Sequence, residues 1–165
     1  MSQHDHLRAD WQDTIMGEGG HCPVCDRWGK LNKFTLNQTL VRMLLAIYYR
    51  GSNEGDGDGW LDMPRLRDHL IHRTNQYSKL AYWNLIERHP TKSGLWRTTK
   101  LGEQFLKKSA TVPAHVWVYN TAVHSVSQEQ VYINEVFETG FDYESAMSDI
   151  FAYWEATGQT VRVSP

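Results

Sequence analysis

The run from Gly59 to Lys108, GWLDMPRLRDHLIHRTNQYSKLAYWNLIERHPTKSGLWRTTKLGEQFLKK, constrains the fold of this chain more than any other. Trp60 to Met63 can form a short strand. Pro64 then opens a helix, because the first helical turn has no use for the amide hydrogen that proline lacks. Leu66, Leu70 and Ile71 give that helix an apolar face. Thr74 or Asn75 caps the next helix, Gln76 to Trp83, which turns Leu80 and Trp83 toward a core. Asn84 takes the left-handed position that ends it. Leu85 and Ile86 start a strand, His89 to Gly94 is a turn, and Leu95 to Thr98 is the returning strand. Thr99 caps a closing helix through Leu101, Phe105 and Leu106.

A longer helix precedes this run. Leu36, Leu40, Met43, Leu44 and Ile47 recur at spacings of three and four, with Thr35 or Asn37 as cap and an end near Arg50 at Gly51. The loop that follows, SNEGDGDG, matches the first half of a calcium-loop signature at Glu54, Asp56, Asp58 and Gly59. Its twelfth position, where a bidentate Glu is required, is Arg65, so it reads as an acidic connector.

The segment KLAYWNLIERHPTKSGLWRTTKLGEQFL resembles the recognition helix, wing and following helix of winged helix-turn-helix proteins, in which a "GLI" motif, a variable hairpin and a "T-x-x-G-x-x-F" helix start recur in this order. With the Thr35 helix the resemblance covers about 70 residues. More loosely, a CPxC knuckle, a central winged helix and the segment VPAHVWVYN together are similar to small bacteriophage-encoded proteins. The resemblance implies a winged helix over residues 35–108, and the patterns around it add a loosely docked arm over 1–20, a CxxC knuckle over 21–34 and a strand-strand-helix annex over 109–165, an α+β fold. In the annex, Val116 and Val118, then Val131 and Ile133, alternate as two strands. Phe141 to Trp154 reads as an acidic amphipathic helix with Phe141, Met147, Ile150, Phe151 and Trp154 on its apolar side.

The knuckle itself is HCPVCDRWGKLNKF. Cys22 and Cys25 are placed to turn two thiolates inward, with Gly29 as the left-handed residue that closes the turn. A tetrahedral zinc site needs four ligands, and no second CxxC follows. His69 and His72, at i and i+3 of a helix, can complete a Cys2His2 set. The alternative is a reduced turn that packs Trp28 against the domain. A redox dithiol of thioredoxin type would want a strand-to-helix context that the residues after Cys25 do not supply.

Charge is distributed unevenly. Residues 1–26 carry one Arg and five acids, residues 27–108 carry fifteen Lys/Arg and seven acids, and residues 109–165 carry one Arg and seven acids. A basic middle between acidic ends fits a surface that meets polyanions. The alternative is that the ends neutralise the middle within one fold. No apolar run is long enough to span a bilayer and the polar start is unlike a signal peptide, so a soluble cytoplasmic protein that binds no membrane is expected. No Walker loop, nucleophile elbow, HExxH or paired-carboxylate motif is present, and the expectation is a non-enzyme.

For double-stranded DNA, cations must reach phosphates and a few side chains must reach base edges. Gln76, Tyr77 and Lys79 lie early in the expected recognition helix, Arg73 and Thr74 lie just before it, and Lys92 and Arg97 lie on or beside the wing. Tyr77 and Tyr82 can equally be core aromatics. Two functions follow: a DNA-binding regulator acting as a homodimer, or a module that engages a host protein complex. They differ in whether Arg73, Lys79, Lys92 and Arg97 share an open face or the acidic annex covers it.

Overall fold

The computed structural model of the chain describes residues 2–54, 57–66, 76–137 and 140–158. The first twenty residues, expected as a loose arm, contain a capped helix, α1 (Gln3–Met16). Ser2 and Asp5 form a reciprocal capping box, the Asp5 N–H donating to Ser2 Oγ at 3.3 Å and the Ser2 N–H to Asp5 Oδ2 at 3.1 Å. The far end is tied down by the Leu31 N–H, which donates to the Ile15 carbonyl at 2.6 Å. A two-strand ladder follows, β1 (Gly20–His21) against β2 (Trp28–Gly29), and then β3 (Asn32–Thr35).

Helix α2 (Gln38–Glu54) is the axis of the molecule. Leu40, Val41, Met43, Leu44, Leu45, Ala46 and Ile47 are all buried, and a helix apolar on so many sides must be wrapped by its neighbours. Asn37 supplies the cap, its Oδ1 accepting from the Leu40 N–H at 3.0 Å. Thr35, the other expected cap, belongs to β3.

The next elements come in the expected order: β4 (Leu61–Asp62), α3 (Met63–Leu66), a 3-10 helix (Gln76–Trp83), β5 (Ile86–Arg88), β6 (Leu95–Thr98) and α4 (Lys100–Leu106). The three strands form one antiparallel sheet in the order β4-β6-β5. Asn84 is left-handed as expected, at φ 60°. Thr99 caps α4, accepting from the Gly102 N–H at 3.0 Å, and its hydroxyl donates to the Asn84 carbonyl at 2.6 Å, which locks the start of the hairpin to its end. Gly102 is required here for space, since a Cβ would collide with the Leu85 carbonyl oxygen and the Thr98 methyl.

The expected helix over Gln76–Trp83 is of the 3-10 type. Tyr77, Leu80 and Trp83, three apart, line up inward, Leu80 and Trp83 fully and Tyr77 partly buried. A repeat of three places them in one row, which an α-helical repeat would fan apart.

The C-terminal part contains β7 (Val112–Pro113), β8 (His115–Tyr119), β9 (Ala122–Val126), β10 (Gln130–Val131), α5 (Ile133–Val136) and α6 (Tyr143–Ala156). The strand partner of Val116 and Val118 is β9, through a tight turn at Asn120 and Thr121, whereas Val131 pairs with Val112 and Ile133 begins α5. That corrects the expected 131–133 strand: two consecutive residues with positive φ reverse the chain at once, leaving no loop to carry it to residue 131. β8 also pairs with β3, Asn32 opposite Val118 and Thr35 opposite His115, giving a second sheet of order β3-β8-β9. α6 docks on α2, with Tyr49 edge-on to Phe151 at 4.9 Å and tilted against Trp154 at 5.9 Å. Phe151 remains 40% exposed, so Met147, Ile150 and Trp154 supply the buried face. Among the described residues no helix is long and apolar enough to cross a membrane.

Candidate nucleic-acid interface

A 3-10 helix stacks side chains in three rows. Tyr77, Leu80 and Trp83 take the inner row, and Trp83 Nε1 donates to the Pro113 carbonyl at 2.8 Å. Gln76, Lys79 and Tyr82 form a second row. Tyr82 stacks on Phe34 of β3 with centroids 5.8 Å apart and planes 19° from parallel, and Lys79 Nζ lies 4.6 Å from the Phe34 ring centroid. This row therefore presents an exposed Gln76, a half-exposed ammonium and an aromatic step. Tyr77 is edge-on to Trp96 of β6 at 5.8 Å and is spent on packing.

The turn of the hairpin between β5 and β6 is ordered by His89. Its Nδ1 accepts from the Thr91 N–H at 3.2 Å and the Lys92 N–H at 3.0 Å, and its ring lies edge-on to Trp60 at 4.7 Å. Lys92 is exposed at the tip. Gly94, at φ 85°, lies where a Cβ would press on the Pro64 ring at 3.1 Å, so the hairpin base fits against the start of α3.

Arg97 is differently placed. Its Nε donates to Glu87 at 2.6 Å, its Nη1 donates to the Asp58 carbonyl at 3.2 Å, and its guanidinium lies 4.2 Å from the Trp60 ring centroid. The structure thus does not bring Arg97 together with Lys79 and Lys92 as free cations of one face. Arg73 and Thr74, and the histidines His69 and His72, lie outside the described residues.

At the knuckle, the Cys22 N–H donates to the Arg27 carbonyl at 2.7 Å and the Asp26 N–H to the Cys22 carbonyl at 2.8 Å. The left-handed residue that closes the turn is Asp26, at φ 60°, and not Gly29. Gly29 is needed for another reason: the Trp11 ring of α1 occupies the space a side chain would fill, with Tyr119 beside it. Trp28 is 57% exposed and edge-on to His21 at 5.4 Å, so it does not pack into the domain. Both cysteines are free thiols. Hydrogen bonds from the backbone N–H of Cys25, first, and of Val24 hold the Cys22 thiol below its ordinary pKa. Two thiols so arranged fit half of a tetrahedral zinc site, and among the described residues no group of three or more ligands gathers that could complete it.

One surface escaped the sequence reading. His115, Trp117 and Tyr119 alternate with Val116 and Val118, so the valines enter the core and the rings occupy the opposite face of the second sheet. The alternation of rings and valines in HVWVY is the sequence signal for it. No family model, no curated protein and no solved structure matches the chain.

Proposed function

We propose that residues 35–108 form a winged helix and that the chain is a non-enzymatic DNA-binding protein acting by occupancy of a duplex site. The observation that carries this reading is the sheet order β4-β6-β5 with the 3-10 helix set directly before the β5–β6 hairpin. That order gives one helix row, Gln76, Lys79 and Tyr82, and one exposed hairpin tip, Lys92, as the contacting parts. Lys79 and Lys92 serve phosphates, and Gln76 is suited to a bidentate contact with an adenine edge. Arg97 is left out of the interface because its guanidinium is already engaged. The acidic helix α6 sits on α2, while strand β8 of the same C-terminal part meets the 3-10 helix on the side of Trp83, whose Nε1 donates to the Pro113 carbonyl.

The test is an anisotropy titration of labelled random duplex with the full chain. Micromolar binding at about 50 mM salt, weakening steeply toward about 200 mM, is expected from counterion release. Lys92→Ala should flatten the salt slope by about one unit. Absence of binding at the lower salt would sink the proposal.

A second reading is favoured by the knuckle: Val24 and Trp28 are 77% and 57% exposed, and an apolar tip on a hydrogen-bonded turn suits a protein partner. Under that reading the chain engages a host complex, and capture of that complex is lost in a Val24→Asp, Trp28→Ala variant whose duplex binding is unchanged.

A further inference from the structure

We propose that the outer face of the β3-β8-β9 sheet is a stacking platform for single-stranded DNA, separate from the duplex-binding parts. The central strand β8 places His115, Trp117 and Tyr119 on this face, at alternate positions about 6.7 Å apart. Register puts Lys33 opposite Trp117 and Thr35 opposite His115 on β3, and Ser125 opposite Trp117 on β9. Residues directly opposite in a ladder share a face, so these six side chains form one surface.

The face is open. All five residues of β9 are exposed, those directed to either side of the sheet alike, and Lys33 and Thr35 are exposed on the other edge. Trp117 and His115 are half-buried, with ring centroids 6.2 Å apart, and the Thr35 hydroxyl shares a hydrogen bond with His115 Nδ1 at 2.8 Å. Tyr119 marks one end, where it meets Gly29 and Trp11. Lys33 Nζ lies 5.7 Å from the Trp117 ring centroid, near the outer limit of a cation–π contact, and its exposed stem lets it swing to a phosphate.

Charge identifies the occupant. Residues 27–53 and 104–128 contain no Asp or Glu, and these two segments include every residue of the three strands. Arg27 and Lys30 stand with Lys33 on the approach to β3. Three ring systems in file beside Lys33 match a single strand, which presents a π-face and a phosphate at each nucleotide. Duplex is excluded from this face because its bases are stacked on one another. The choice of DNA over RNA rests on the function proposed above; the platform does not.

The experiment uses the full chain with labelled oligothymidylate of about twelve nucleotides, oligouridylate of the same length, and the random duplex. Oligothymidylate should bind with salt-sensitive affinity. Trp117→Ala should weaken it about tenfold or more, Trp117→Phe should retain most of it, and neither should alter duplex binding. Lys33→Glu, at an exposed position that does not threaten folding, should weaken oligothymidylate at low salt. Oligothymidylate binding that is absent, or unchanged in both Trp117→Ala and Lys33→Glu, overturns the platform. Tighter binding of oligouridylate overturns the assignment to DNA. A flattened salt slope for duplex in Lys92→Ala with oligothymidylate binding intact keeps the two surfaces distinct, and failure of the duplex titration alone counts only against the winged-helix proposal.

Discussion

Glu87 and Arg97 face each other across the β5–β6 ladder, and Arg97 Nε donates to the Glu87 carboxylate at 2.6 Å. The pair is fixed on its other side by Trp60 and the Asp58 carbonyl, so a cation that sequence spacing assigns to phosphate is committed to the base of the hairpin. Both side chains keep about a third or more of their surface in water, which limits the energy of the pair. Arg97→Ala should lower stability by about 1 kcal/mol in urea unfolding and leave duplex affinity within about twofold. A tenfold loss of duplex binding in a folded variant would return Arg97 to the interface.

Thr121 carries the clearest local strain. It has φ 67° and follows Asn120 at φ 51°, in the two-residue turn between Tyr119 and Ala122. A β-branched residue is poorly suited to the left-handed region, where Asn-Gly is the favoured pair. Thr121→Gly should raise stability by about 1 kcal/mol, net of the backbone entropy that glycine brings. Thermal unfolding reads the shift, and an unchanged or lower midpoint contradicts the account of the turn.

Arg50 is 2% exposed, with its Nη1 3.4 Å from Glu54 and its guanidinium 4.6 Å from the Trp154 ring centroid. Among the described residues its Nε and Nη2 are buried without hydrogen-bond partners, and burial pushes the guanidinium below its ordinary pKa. Replacing such a cation by an apolar chain of similar length removes desolvation as well as attraction. Arg50→Met combined with Glu54→Gln, which leaves no carboxylate without its cation, should therefore be neutral or stabilising by about 1 kcal/mol, whereas Trp154→Ala should lose about 3–5 kcal/mol from the α2–α6 contact. A loss of similar size in the double variant would mean the cation is satisfied in a way these contacts do not account for.

The Cys22 thiol accepts backbone hydrogen bonds that favour its thiolate, those of Cys25 and then Val24. The lowered pKa means that the reactive form persists to lower pH than in a free cysteine. Iodoacetamide labelling followed by mass spectrometry should show half-maximal Cys22 alkylation below the ordinary thiol range. The rate should be insensitive to chelator if the thiols hold no metal, and a rise on adding chelator would identify a bound ion and reopen the search for its remaining ligands.

The elements legible in the sequence are those whose determinants lie within a few residues of one another. The apolar period of α2, the Thr99 cap, the left-handed Asn84 and the β5–β6 hairpin all follow from local hydrogen bonding and side-chain period. Only the tertiary structure decided that Lys33 would lie opposite Trp117, 84 positions along the chain, that Trp11 would fill the space over Gly29, and that Glu87 would claim Arg97. Alternation in HVWVY determines that its valines and rings face opposite ways. It does not determine which strands flank them, because pairing between distant segments is selected by the core they jointly bury, and no local propensity encodes that choice.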